Sequence, residues 1–225
     1  FRHAIEMSRS HTLNIRDWVH TTTMEWDTAA LLAAPIYSLT HNIWASFAIA
    51  NTLILTFFLY AVIRLFDRYG QSLKTALMAC DLLLIPYAFG MLDYFNMLMF
   101  NGSQYIFRVM IPVLILVILK TPLSDRKKPE NIILCIVTAT LIPIASISSG
   151  IYIPVSCVLP VLAVIILDVI GRDNPKLYDA YQYITIAVVL VEALCGAVIS
   201  IKMGEAGFGN SMSLLRWYDM RYYIQ

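Results

Sequence analysis

Charge is scarce in this chain. Asp, Glu, Lys and Arg together make up 14% of its 225 residues, against about 25% in an average soluble domain. A soluble core of this size needs a more polar shell than that, so a single water-soluble globule is excluded. Net charge is also nearly absent, at +1, which removes the electrostatic case for a nucleic-acid partner. Cysteine is sparse, and Cys80, Cys135, Cys157 and Cys195 each stand alone in an apolar run, without metal-ligand or CxxC spacing. They read as small apolar residues. Walker loops and GxSxG elbows are missing, and the first residues do not read as a secretory leader.

What fills the chain is apolar. Hydrophobic residues reach 59% and the mean hydropathy is +0.70. Six long apolar runs lie at about 43–66, 75–100, 104–120, 131–148, 151–170 and 178–202. A span needs about 20 residues at 1.5 Å each, and a backbone in lipid must satisfy its own hydrogen bonds. The expected fold is therefore all-α: a polytopic membrane bundle of about six transmembrane helices in one domain, 1–225. An outer amphipathic segment, 1–42, precedes the spans at 43–202, and a second outer segment starts at 203–225. Within the first segment, Thr28 to Leu39 is apolar but too short to span, and Pro35 is expected to interrupt it.

The basic residues orient the bundle. Arg64, Arg68 and Lys74 follow the first run, Lys120, Arg126, Lys127 and Lys128 the third, and Arg172 and Lys176 the fifth. The alternate turns at Asn101-Gly102-Ser103 and Ser148-Ser149-Gly150 carry no Lys or Arg. Basic loops stay in the cytoplasm, so both ends of the chain are expected outside a plasma membrane. Trp18, Trp26, Trp44 and Trp217 all fall on that outer side, where aromatic belts form.

Ionisable groups within spans are costly and mark functional positions. Asp81, Asp93, Arg108, Asp168 and Glu192 are such groups. Asp168 and Asp81 lie toward the cytoplasmic side, where solvation or structural pairing accounts for them. Glu192 sits near mid-span, as a structural acid or as a proton or ion relay. Asp93 and Arg108 flank the outer turn at similar depth, which predicts a salt bridge; alternatively Arg108 holds a lipid-linked phosphate, which a guanidinium fork suits. In the outer segment, Glu25-Trp26-Asp27 sets two carboxylates and an indole beside the membrane. The carboxylates either cap the helix starting near Thr28 or deprotonate an acceptor hydroxyl while the indole stacks on a sugar. Residues two apart on a helix do not share a face, so at most one acid is catalytic. His3, His11, His20 and His41 match no metal motif.

Three passages carry a family likeness. "FRHAIEMSRSHTLNIRDW", "MEWDTAALLAAPIYSLTHNIWASFAIAN" and "SSGIYIPVSCVLPVLAVII" resemble stretches of the GT-C superfamily of membrane glycosyltransferases, which includes protein O-mannosyltransferases and aminoarabinose transferases of lipid A. In that family a first span leads to an outer loop with amphipathic helices, then to several closely spaced spans and a second outer loop. The resemblance implies sugar transfer from a polyprenyl-phosphate donor, with membrane lipids as surroundings and room for a divalent metal beside the donor. It implies Arg108 as the donor-phosphate ligand, while the reading of the residues themselves offers Asp27 and Glu25 as candidate bases and Asp93, Trp26 and Glu192 as candidate supports. It also implies a further span before Phe1, because the family's main carboxylate usually lies just upstream of such a start. Two other readings stay open: a proton- or ion-coupled transporter or flippase, for which Glu192, Asp81 and the intramembrane prolines speak, and a non-catalytic membrane subunit.

Overall fold

The computed structural model describes residues 1–13, 15, 24, 26–85, 105–170 and 179–203. The described residues are helical and contain no strand. In chain order the helices are α1 (Arg2–Ser10), α2 (Ala30–Thr40), α3 (Ile43–Arg68), α4 (Leu73–Leu84), α5 (Ile106–Leu119), α6 (Pro129–Ser149), α7 (Leu159–Ile170) and α8 (Ala180–Met203). A π-helical turn, Pro154–Val158, leads into α7.

Three of these helices are long and apolar enough to cross a membrane: α3, α6 and α8, with mean hydropathies of 2.0, 2.2 and 2.5 over their best windows. At 1.5 Å per residue even the shortest of them reaches about 31 Å, the thickness of a hydrocarbon core. Their ends are set locally. Asn42 caps α3 by accepting from the N–H groups of Trp44 and Ala45, both at 3.1 Å. Pro129 opens α6 with Glu130 in the first turn, and Gly150 closes it at φ +58°. The outward faces stay apolar, as Ile132, Ile133 and Ile136 on α6 and Ile184, Val191 and Ile201 on α8 are exposed. That surface suits lipid and not water.

Two expected spans differ from the sequence reading. The run at 104–120 forms an α-helix of only 14 residues, about 21 Å long. It lies in the middle of the bundle and, beyond Arg108 in its first turn, is apolar all round. Phe107, Met110, Leu114 and Val117 pack with α1, α2 and α3. Ile111, Ile115 and Leu119, four residues apart, pack with α6, α7 and α8. A helix wrapped on both sides by protein needs no match to the bilayer thickness. The run at 151–170 is likewise not one α-helix, because its first turn is π-helical from Pro154. Pro35 also does not break α2, which runs through it. Of the run at 75–100, α4 covers the first part.

Ionic contacts collect at one end of the bundle. Arg64 pairs with Glu130 at 2.8 Å, Arg68 with Asp125 at 3.1 Å, and Arg126 with Asp179 at 2.6 Å. These pairs place the C-terminal ends of α3 and α5 beside the N-terminal ends of α6 and α8. Lys128 and Arg68 together pull the Asp125 carboxyl down to about 2. Arg126 lowers that of Asp179 as well. Among the described basic residues that orient the chain in the sequence, Arg64, Arg68, Arg126 and Lys128 thus share one end.

Candidate functional site

The opposite end holds a second polar cluster, built on the last turn of α6. The final carbonyls of a helix have no partner within it and carry partial negative charge. Here the N–H of Met24 donates to the Ser148 carbonyl at 3.1 Å. The Trp26 N–H donates to Ser148 Oγ at 3.0 Å. The N-terminal segment is therefore laid across the end of α6 by its own backbone.

That docking brings Asp27 to the same turn. Ser148 Oγ donates to Asp27 Oδ1 at 2.6 Å, and Ser149 Oγ donates to Oδ2 at 2.5 Å. Asp27 is 2% exposed. A carboxylate buried at the negative end of a helix needs positive charge nearby, and Arg108 supplies it from the start of α5. Its Nη2 donates to Ser149 Oγ at 3.0 Å, while its Nε stands 3.9 Å from Asp27 Oδ2. Ser149 thus relays between guanidinium and carboxylate. Burial raises the Asp27 carboxyl above its ordinary range, more than the two serines and Arg108 lower it.

Arg108 is held with care. Pro112, four residues on, has no N–H to give to the Arg108 carbonyl. The Cys157 thiol, on the π-helical turn, donates to that carbonyl instead at 3.1 Å. The guanidinium lies over the rings of Tyr105 and Tyr152, 4.9 and 5.5 Å from their centroids. It keeps a buried Nε–H without a partner, and the indole Nε1–H of Trp26 is unpartnered too. Two buried donors are thereby left without a hydrogen-bond partner. The Trp26 ring is 7% exposed, so no face of it is open for stacking on a sugar.

The expected cap at the start of α2 is not formed by Asp27. Ala29 holds that position without a side-chain cap, and Asp27 spends its oxygens on α6. The expected Asp93–Arg108 bridge cannot be placed, because Asp93 and Glu25 lie outside the described residues. Among the described residues, the carboxylate that Arg108 faces is Asp27. Sequence reasoning passed over Ser148 and Ser149 as a plain turn, and Tyr152 with them. A pair of serines ahead of a helix-ending glycine was the only available signal.

Glu192 lies apart from this cluster, on α8, and lines a groove between α6 and α8. Among the described residues no group of three or more His, Cys, Asp or Glu could hold a metal ion. No step through a divalent metal is therefore derived.

Fold and site together define an all-helical protein with spans fit for a membrane and a buried Arg–Ser–Asp cluster at one end. No family model matches the chain, and no characterised protein or solved structure shows a significant likeness to it.

Proposed function

We propose that this chain is part of a multi-pass plasma-membrane glycosyltransferase that takes a sugar from a polyprenyl-phosphate donor at the outer face. The observation that carries the reading is Arg108, a guanidinium between two tyrosine rings with one buried N–H unused. In this reading six spans cross the bilayer, the Arg64–Arg68–Arg126 end faces the cytoplasm, and the Asp27–Arg108 end faces out. The likeness of the sequence to GT-C passages supports the same assignment.

The chemistry follows from the donor. As the bond from the sugar C1 to the phosphate oxygen breaks, negative charge grows on the phosphate. A fixed guanidinium offsets it without reorganising. The acceptor hydroxyl loses its proton to a carboxylate. Asp27 has both oxygens engaged and is closed off, so its part is to fix Ser149 and Arg108. The base is then Glu25 or an acid outside this chain.

Single replacements of Arg108 in the full-length protein test the assignment. Arg108→Ala is expected to lower transfer from the lipid-phosphate donor about 100-fold, near 2.7 kcal/mol at 1.36 per decade. Arg108→Lys is expected to recover only part of it, because an ammonium lacks the fork. Normal expression with unchanged transfer in both variants would sink the proposal. Glu25→Gln distinguishes the base: activity lost with Glu25→Gln places it in the chain, and activity kept moves it outside.

A further inference from the structure

The seam between α6 and α8 carries a second polar system, independent of the reading above. Glu192 is the thirteenth of the 24 residues of α8, so it sits at mid-helix. Its Oε2 is buried and meets no hydrogen-bond partner. A charged carboxylate is costly at mid-bilayer and needs a cation beside it. None is present: among the described residues, no Lys, Arg or His and no second carboxylate lines the groove around Glu192. The groove is mostly apolar and open at its side.

The other titratable and polar groups facing Glu192 are few. From α6 come Cys135 and Thr138, from α8 Tyr181 and Thr185, and from α5 only the apolar Ile118. Thr138 and Thr185 donate their hydroxyls to the carbonyls of Leu134 and Tyr181 in their own helices. The Cys135 thiol and the Tyr181 hydroxyl face each other at 3.4 Å. None of these can neutralise a carboxylate. One acceptor is freed in the same wall. Pro143 has no N–H, which leaves the carbonyl of Ala139 without its in-helix donor, and Ala139 also lines the groove. A protonated Glu192 would have an O–H to offer such an acceptor, whereas an ionised one has nothing to gain there.

On α8, Tyr181, Thr185, Val188 and Glu192 follow the three-to-four-residue spacing of one helix face. That face runs from mid-helix to the end where Arg126 stacks on Tyr181 at 4.1 Å and pairs with Asp179. From this arrangement we propose that Glu192 is an exchangeable proton-binding site, open to the lipid side of the α6–α8 groove. Its carboxyl takes up and gives up a proton through the open side of that groove.

An apolar carbodiimide, dicyclohexylcarbodiimide, probes this directly. A protonated carboxyl adds its O–H across a C=N bond of the reagent to give an O-acylisourea. The acyl group then shifts to nitrogen and leaves a stable N-acylurea, with nothing expelled and one carbodiimide added in mass. The full chain in lipid bilayers is treated between pH 5 and pH 9 and the adduct is located by peptide mass spectrometry. The expected result is an adduct on Glu192 at pH 6 that falls at least tenfold by pH 9, and no adduct at that position in Glu192→Gln. No adduct on wild-type Glu192 at any pH would overturn the proposal. A yield that does not change across the range would overturn it equally, since it would mark a permanently protonated structural acid. Because the decisive reading is on the wild-type chain, poor folding of the variant does not blunt the test. Transfer activity plays no part in it, so it stands or falls apart from the Arg108 assignment.

Discussion

Asp27→Ala is expected to lower the stability of the folded chain by about 3 kcal/mol, the low end for breaking a buried ion pair. The low end applies because the Arg108 side chain keeps 21% of its exposure. The loss has three parts. Two serine hydroxyls at the end of α6 lose their acceptor, the guanidinium loses its counter-charge, and the N-terminal segment loses a side-chain anchor on α6. Asp27→Asn keeps an acceptor oxygen and the shape but not the charge, so it should fall between wild type and alanine. Thermal unfolding of the protein in lipid bilayers reads the difference. A change below 0.5 kcal/mol, the scale of an ordinary surface substitution, would show that the cluster does not hold the segment.

The same residue gives a pH dependence of definite sign. The Asp27 carboxyl binds its proton more tightly in the fold than in the unfolded chain, chiefly because it is buried. Its contribution is therefore fully present below the unfolded value, near 3.8, and is lost as the pH rises through the raised native one. Between those two values wild type should lose more stability with rising pH than Asp27→Asn does. The difference between the two curves isolates Asp27 from the other carboxylates.

Gly196→Val is the second large effect. At Gly196 α8 approaches α6 so closely that an added Cβ would lie 2.5 Å from the Cβ of Ser146 and 3.3 Å from the Pro143 carbonyl oxygen. Backbone cannot yield as a long side chain does, so the two helices must separate. Between membrane helices close approach is itself the attraction, because lipid offers no hydrophobic drive. Forced separation also disturbs the packing of Ile142, Ala145 and Ala193. The expected cost is about 1–3 kcal/mol for Gly196→Ala and more for Gly196→Val. Unfolding midpoints measured in the same lipid check it. Equal midpoints for glycine and valine would contradict the tight seam.

These positions also show what was readable from sequence. The bounds of α3, α6 and α8 follow closely from their apolar runs, since Asn42, Pro129 and Gly150 mark three of the six ends with local chemistry. Those signals act within a few residues and survive folding. The role of α5 does not follow. Its sequence is as apolar as a lipid-facing helix, and only the packing on both its sides makes it a core element. Arg108 and Asp27 stand out as ionisable groups beside apolar runs, but nearness in sequence offered Arg108 the partner Asp93, which lies outside the described residues. Asp27 reaches Arg108 through the docking of a distant segment on Ser148 and Ser149. Long-range docking leaves no periodic trace. The likeness to GT-C passages pointed to neither the serine relay nor the Cys157 thiol on the Arg108 carbonyl.

In the proposed orientation the Asp27–Arg108 end faces outward and the Arg64–Arg126 end faces the cytoplasm. Leu39, at the end of α2, is 83% exposed, and Leu123, in the basic loop, is 72% exposed. Each is replaced singly by cysteine, and intact cells are treated with a membrane-impermeant maleimide, with the parent chain as background. The account predicts that Leu39→Cys labels in intact cells and that Leu123→Cys labels only after the membrane is opened. The reverse pattern, or labelling of both in intact cells, would contradict the orientation and with it the outer-face site.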